Sequence, residues 1–312
     1  MKFDSWEKIK ALAEDRYLRH KIVLSIAPGI IGYDPIMEAV ALQLFGCPSL
    51  ELPCESFRGE MHILIVSDPR TIKTRLLRWA AEAAFSGVYI LGTADTELDA
   101  RALASAPLRL LCIDDLDEMG TEEIARLSRI MRDQIVTVNG ELLRTQISIL
   151  AAARPEFGRY DSQGSLAEQV KLPPAILSRF DLILIARDEP HEERDKVMAR
   201  SVLEPHYEPG KAPERLDKPP FDIDTLNKII VYANTRIHPT FKDRKPAEML
   251  EDIFVKWRKS SMFRTHISAM QLEGLIRLSK ACARMRLSNT VTVEDAVHAI
   301  GLMNMYLLDI FR

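Results

Sequence analysis

Five short apolar runs recur along the chain, at residues 62–66, 88–91, 108–113, 147–152 and 182–186, with helical or hairpin-like stretches between them. An apolar run this short, with no alternating polar face, reads as a strand buried on both sides, as in a parallel sheet. Parallel neighbours are reached only through crossovers, so strands alternating with helices predict an α/β fold with a mainly parallel sheet.

The intervening segments support that plan. Residues 4–24 carry Trp6, Ile9, Leu12, Ala13 and Tyr17 at helical spacing and predict one amphipathic helix. A second helix is expected over 34–44, a loop over 46–60, and a helix over 72–85. Ile135-Val136-Thr137-Val138, then Asn139-Gly140, then Leu142-Leu143 predicts a β-hairpin, because Asn-Gly accepts the positive φ values of a two-residue turn. Residues 203–222 hold five prolines in a polar setting and read as a linker. Beyond them, 222–234, 246–259, 268–285 and 292–311 are all helical in pattern, with cap signals at Ser268 and Thr292. The expected organisation is an N-terminal helix (1–24), an α/β core (25–202), the proline-rich linker (203–222) and a small all-α domain (223–312).

A formal net charge of −3 gives no global field that gathers nucleic acid, so any such contact rests on a local basic patch or on a surface that several subunits build. The four cysteines show no CxxC pair and predict neither a zinc site nor a disulfide framework. No signal peptide opens the chain and no apolar run approaches bilayer length, so a cytoplasmic protein without membrane contact is expected, nucleoid-associated at most, or nuclear in a eukaryote.

Two segments carry chemistry. Ser67-Asp68-Pro69-Arg70-Thr71-Ile72-Lys73-Thr74 lies between a buried strand and a helix, where a phosphate-binding loop belongs. Lys73 is placed to reach the β- and γ-phosphates, and the Thr74 hydroxyl to ligate magnesium. Cys112-Ile113-Asp114-Asp115 is an apolar strand ending in adjacent carboxylates, the first suited to magnesium and the second to polarising an attacking water.

With these segments in place, the chain resembles the MCM (minichromosome maintenance) family of AAA+ proteins. Ser25-Ile26-Ala27-Pro28 with Ile31-Gly32, and 41–46, are similar to that family's opening segment. Arg58-Gly59-Glu60-Met61-His62-Ile63-Leu64 leads into the phosphate loop as it does there. Cys112-Ile113-Asp114-Asp115-Leu116-Asp117 resembles its Walker B signature, Leu177-Ser178-Arg179-Phe180-Asp181-Leu182 its arginine-finger box, and Gln271-Leu272-Glu273 with Leu275-Ile276-Arg277-Leu278 its lid helix. The resemblance implies a AAA+ P-loop NTPase core with a helical lid, ATP and Mg²⁺ as ligands, sites at the junctions between like or unlike MCM subunits, and Arg179 acting in trans on a neighbour's γ-phosphate.

The chain departs from the family in the nucleotide site. Ser67 and Arg70 stand where the family has glycine, Ile72 where it has alanine, Asp115 where it has the catalytic glutamate, Arg154 where it has the sensor asparagine, and Met270 where it has the lid arginine. We expect Arg154 to pair with Asp114 or Asp115 and close the site with an internal ion pair; the alternative is that Arg70 and Arg154 hold a phosphate unconventionally. The candidate DNA hairpin offers Asn139 and Gly140 at its tip and Arg144 as its sole basic residue, which predicts weak DNA binding by the monomer. Residues 92–107 are too short for the family's inserted hairpin, and the sequence starts near the family's AAA+ entry helix, with the family's N-terminal DNA-binding and zinc domain either lost or trimmed. Lys280, Arg284 and Arg286 read as a solvated helix face. Three functions follow in order: an MCM-like module with weak or lost ATP hydrolysis that serves as a non-catalytic paralogue or ring component, an active ATP-dependent helicase subunit, and an interaction module without a DNA role.

Overall fold

The structure, a computed structural model, describes residues 3–68, 72–104, 109–156, 158, 166–187, 190–207, 219–260 and 267–311. The chain opens with α1 (Phe3–Ala11) and α2 (Leu18–Leu24), separated by a 3-10 turn at Leu12–Glu14. The single helix expected over 4–24 is therefore broken. Asp15 is the cause: its carboxylate accepts from the Tyr17 N–H (2.8 Å) and from Lys21 Nζ (2.6 Å), offering the backbone an Asx turn in place of helix. Helix α3 (Asp34–Phe45) follows. The stretch read as loop then forms a two-stranded antiparallel sheet, β1 (Leu50–Glu51) and β2 (Ser56–Phe57), too short to leave a periodic trace in the sequence.

The core then runs β3 (His62–Ser67), α4 (Lys73–Ala83), β4 (Gly87–Leu91), α5 (Ala100–Ala104), β5 (Leu110–Asp114), α6 (Thr121–Asp133), β6 (Ile135–Val138), β7 (Glu141–Arg144), β8 (Ser148–Ala153), α7 (Leu166–Gln169), α8 (Pro174–Leu177), β9 (Leu182–Ala186) and α9 (Glu192–Tyr207). The five expected apolar runs are β3, β4, β5, β8 and β9, and they form one all-parallel sheet in the order β4-β5-β8-β3-β9. Strands β3, β5 and β8 are buried along their whole length, as their lack of polar alternation requires. Because the strands are parallel, their C-terminal ends share one crest, where ligands bind in open α/β sheets. Ser67, Asp114 and Ala153 stand there.

After α9 come α10 (Ile223–Arg236), α11 (Arg244–Lys259), α12 (Ala269–Met285) and α13 (Val293–Phe311). Ser268 forms a capping box with Gln271 at the start of α12, and Asp222 caps α10 through Thr225 N–H (2.7 Å). Helix α9 continues to Tyr207, so the first residues of the proline-rich stretch are helical; residues 208–218 lie outside the described residues. Apolar side chains of α10, α12 and α13 join those of the sheet and α3 in one continuous hydrophobic core.

Of the residues read as a solvated helix face, Arg284 and Arg286 are instead engaged within the fold. Arg284 is only 4% exposed. It donates to the Phe45 carbonyl (3.0 Å), the Ile237 carbonyl (3.0 Å) and Asn234 Oδ1 (2.9 Å). Those carbonyls close the C-termini of α3 and α10, so the helix dipoles supply the negative potential that a buried cation needs. Burial still pulls its pKa down to about 10. Arg286 forms a two-point pair with the fully buried Asp295 (2.9 and 2.6 Å).

Candidate functional site

Strand β5 ends at Asp114, and the chain then bends sharply because Asp115 takes a left-handed conformation (φ 51°). The bend is accommodated by Gly92, whose N–H donates to the Asp114 carbonyl (2.7 Å); a Cβ there would lie 2.4 Å from the Asp115 carbonyl oxygen. The two carboxylates therefore diverge. Asp114 accepts from Thr74 Oγ1 (2.5 Å) and Tyr89 Oη (3.1 Å), while Asp115 pairs with Lys73. Lys73 and Thr74 open α4, so both acids sit toward a helix N-terminus, whose free N–H groups favour negative charge. Ser67 closes β3 and is buried, and Ile72 is buried in the core at the cap of α4. Pro69, Arg70 and Thr71 lie outside the described residues.

Arg154 reaches the same crest from the end of β8. Its Nε is 3.5 Å from Asp115 and 3.4 Å from Asp117, and its Nη2 pairs with Glu118. The expected pairing with Asp115 is present, and that with Asp114 is not: Thr74 and Tyr89 hold Asp114, and Asp117 and Glu118 share the guanidinium. Arg154 Nε makes no hydrogen bond, so its contacts with Asp115 and Asp117 are electrostatic rather than a bidentate fork. Burial works against the charge on Arg154, but Asp117, Asp115 and Glu118 outweigh it and hold the pKa above the usual arginine value.

A lysine, a hydroxyl and a carboxylate grouped at a helix N-terminus are the donor set for magnesium-bound phosphates, and Lys73, Thr74 and Asp114 fit it. Any phosphate seeking Lys73 would first displace Asp115.

Arg179 stands elsewhere. It lines a cavity of about 380 Å³ together with Arg58, Gln134, Met270 and Glu273, and none of Lys73, Asp114, Asp115 or Arg154 borders it. The structure thus brings Arg179 and Met270 together, away from the crest. Arg179 Nε is buried without a hydrogen-bond partner. Its backbone is held from beneath: Asp181, two residues on, is buried and accepts from Arg277 (2.6 and 3.1 Å), Arg58 (3.1 Å) and the His62 N–H (2.8 Å). Burial alone would raise the Asp181 pKa, but Arg277, Arg58 and His62 hold it down at about 2. His62 is itself fully buried between the Ile149 N–H (3.2 Å) and the Met131 carbonyl (3.3 Å), and burial, reinforced by Arg58, pushes its pKa well below the usual histidine value.

The hairpin β6–β7 forms as expected, with Asn139 (φ 52°) and Gly140 (φ 85°) at its tip. Asn139 Oδ1 accepts from Arg101 (3.2 Å) and Arg144 is paired with Glu51 of β1 (2.5 Å). Leu142 on β7 is 72% exposed, beside the exposed Glu141 and Arg144.

Sequence reading missed Tyr89, Asp117 and Glu118 at the crest, and the Arg58–Asp181–Arg277 tether. Arg58, Asp117, Asp181 and Arg277 all lie inside segments singled out for their motifs, yet no spacing rule relates residues that only the fold brings together.

The family model of the MCM P-loop domain matches residues 5–106 and 93–206, and that of the MCM AAA-lid domain matches 224–307. The minichromosome maintenance protein MCM of Saccharolobus solfataricus is 36% identical over 96% of this chain and 46% of its own length. The DNA replication licensing factor MCM4 of Oryza sativa subsp. japonica is 34% identical over 96% of this chain and 38% of its own, and MCM7 of Oryza sativa subsp. indica 30% identical over 98% and 45%. The chain spans less than half the length of each of these relatives.

Proposed function

The chain belongs to the MCM family, and from that premise we propose that it is a module of DNA replication with weak or lost ATP hydrolysis, a non-catalytic component of an MCM assembly. The observation that carries this reading is the run of ion pairs from Lys73 through Asp115 to Arg154 and on to Asp117 and Glu118. The side chains that the family resemblance assigns to phosphate, water and product sensing are here engaged with one another.

Bound Mg²⁺-ATP would supply a phosphoryl group whose charge the metal neutralises. Thr74 and Asp114 would hold the metal and Lys73 the phosphates. Asp115 would be the residue to polarise water, but its carboxylate is engaged by two cations, which removes it from the attacking position. Met270 adds no charge where the family's lid supplies an arginine. Arg179, on a separate face, is free of these losses and would act on a neighbouring subunit. The functional units are the core over 25–202 and the lid over 223–312. With Arg144 paired to Glu51 and no lysine at the hairpin tip, DNA binding by the monomer is expected to be weak and only shallowly dependent on salt.

A second reading, an active ATP-driven subunit, draws on Thr74 and Asp114 standing together at the start of α4. Titration with a labelled ATP analogue and magnesium, paired with turnover, separates the two. We expect weak binding and no turnover above background. Micromolar binding with turnover abolished by Lys73→Ala would overturn the proposal.

A further inference from the structure

We propose that the cavity between the lid and the N-terminal ends of the sheet strands binds a small organic anion, a carboxylate with an apolar body, and that Arg284 receives its charged end. The site is separate from the crest: none of Lys73, Asp114, Asp115 or Arg154 borders it.

The cavity measures about 460 Å³, a volume in the range of small-molecule sites. It lies at the end of the sheet opposite the crest, where Leu110 opens β5 and Ser148 opens β8. Both halves of the chain build its apolar wall. Leu44 of α3 and Phe85, just beyond α4, come from the core, and Ile230 and Val231 of α10 come from the lid.

Arg284 lines this cavity as a buried cation without a carboxylate. Its neighbours are provided for: Arg58 and Arg277 share Asp181, and Arg286 pairs with Asp295. Arg284 donates through Nε and Nη1 to two backbone carbonyls and Asn234 Oδ1, and its Nη2 makes no hydrogen bond among the described residues. Neutral oxygens offset only part of the cost of burying a full charge, and burial accordingly holds its pKa down at about 10. Cys47 is beside it but is no counter-ion, because burial pushes the thiol up and keeps it neutral. Glu60 is the one carboxylate among the described lining residues, and it makes no ion pair with Arg284 or with Arg109, the second arginine of the wall, whose Nη1 donates to Gln146 (3.0 Å). The wall thus carries two guanidinium charges against one carboxylate. A ligand carboxylate at Arg284 forms charge-assisted hydrogen bonds, and its apolar body covers Leu44, Ile230 and Val231. Spanning core and lid, such a ligand holds the two together.

Calorimetric titration of the full chain with cinnamate, and with cinnamamide as its uncharged counterpart, tests the site. We expect cinnamate to bind about tenfold or more tightly than the amide, and to raise the melting temperature of the chain. Arg284→Gln keeps a donor for the carbonyls and drops the charge, and it should bring the two probes to within about twofold of each other. Thr235→Trp fills the rim of the cavity from an exposed position on α10 and should weaken cinnamate by about tenfold or more. Equal affinity for the two probes, no binding of either, or a preference for cinnamate retained in folded Arg284→Gln would each overturn the proposal. Should Arg284→Gln fail to fold, undiminished binding of cinnamate by Thr235→Trp would do the same.

Discussion

Asp115 stands between Lys73 and Arg154, and its charge decides what Lys73 does. Neutralising that carboxylate while keeping its shape frees the ammonium for a phosphate, so Asp115→Asn should raise affinity for a labelled ATP analogue by about tenfold without conferring turnover. Equal affinity in the two proteins would mean that Lys73 is not sequestered. Asp181 and His62 set the acid sensitivity of the fold. The Asp181 pKa is held at about 2, below the value of an unfolded aspartate, so its contribution is complete above about pH 4 and is lost as pH falls toward 2. The depression corresponds to about 2–3 kcal/mol. His62 acts in the same direction: its folded pKa is depressed, so the unfolded chain takes up a proton first and stability declines once pH drops below about 6.5. Melting temperatures across about pH 8 to 3 should therefore fall in two stages. A flat profile down to about pH 4 would contradict the assignment of His62 as buried and neutral.

At the scale of elements, helix α12 is fastened to the sheet by a charge. Arg277 meets Asp181 at the foot of β9, and Arg58 reaches the same carboxylate from the approach to β3. Removing one partner of a buried pair leaves the other uncompensated, and Arg277→Met should cost about 3–5 kcal/mol in urea unfolding. A cost below about 1 kcal/mol would assign the pair to the surface class. The hairpin β6–β7 was legible because Asn139-Gly140 dictates its turn, but its role was not. Arg144 counted as its one basic residue, and Glu51 of β1 takes that charge, a partner supplied by a two-stranded sheet that the sequence read as loop. Leu142, exposed on β7, offers a place to restore charge. Leu142→Lys should tighten binding to single-stranded DNA and steepen its salt dependence by about one phosphate contact. An unchanged slope would place β7 away from any DNA path.

For the molecule as a whole, the lid and the α/β core share one hydrophobic interior, and Arg284 closes two helix ends across their boundary. Unfolding should consequently be a single transition, with Trp79 on α4 and Trp257 on α11 reporting the same midpoint in urea. Two separated midpoints would show that the lid unfolds alone.

The order of strands and helices, the hairpin turn, the caps of the lid and the positions of Lys73, Thr74, Asp114, Asp115, Arg154 and Arg179 are all written in local pattern. Periodicity and turn chemistry act between residues close in the chain, so they survive in a linear reading. The partners of those residues are not local. That Asp115 faces Lys73, that Arg154 divides its charge among Asp115, Asp117 and Glu118, and that Arg284 is buried rather than solvated follow from which strand ends and helix ends packing brings within bonding distance. Charge pairing depends on separation in space, and only the closed fold sets it.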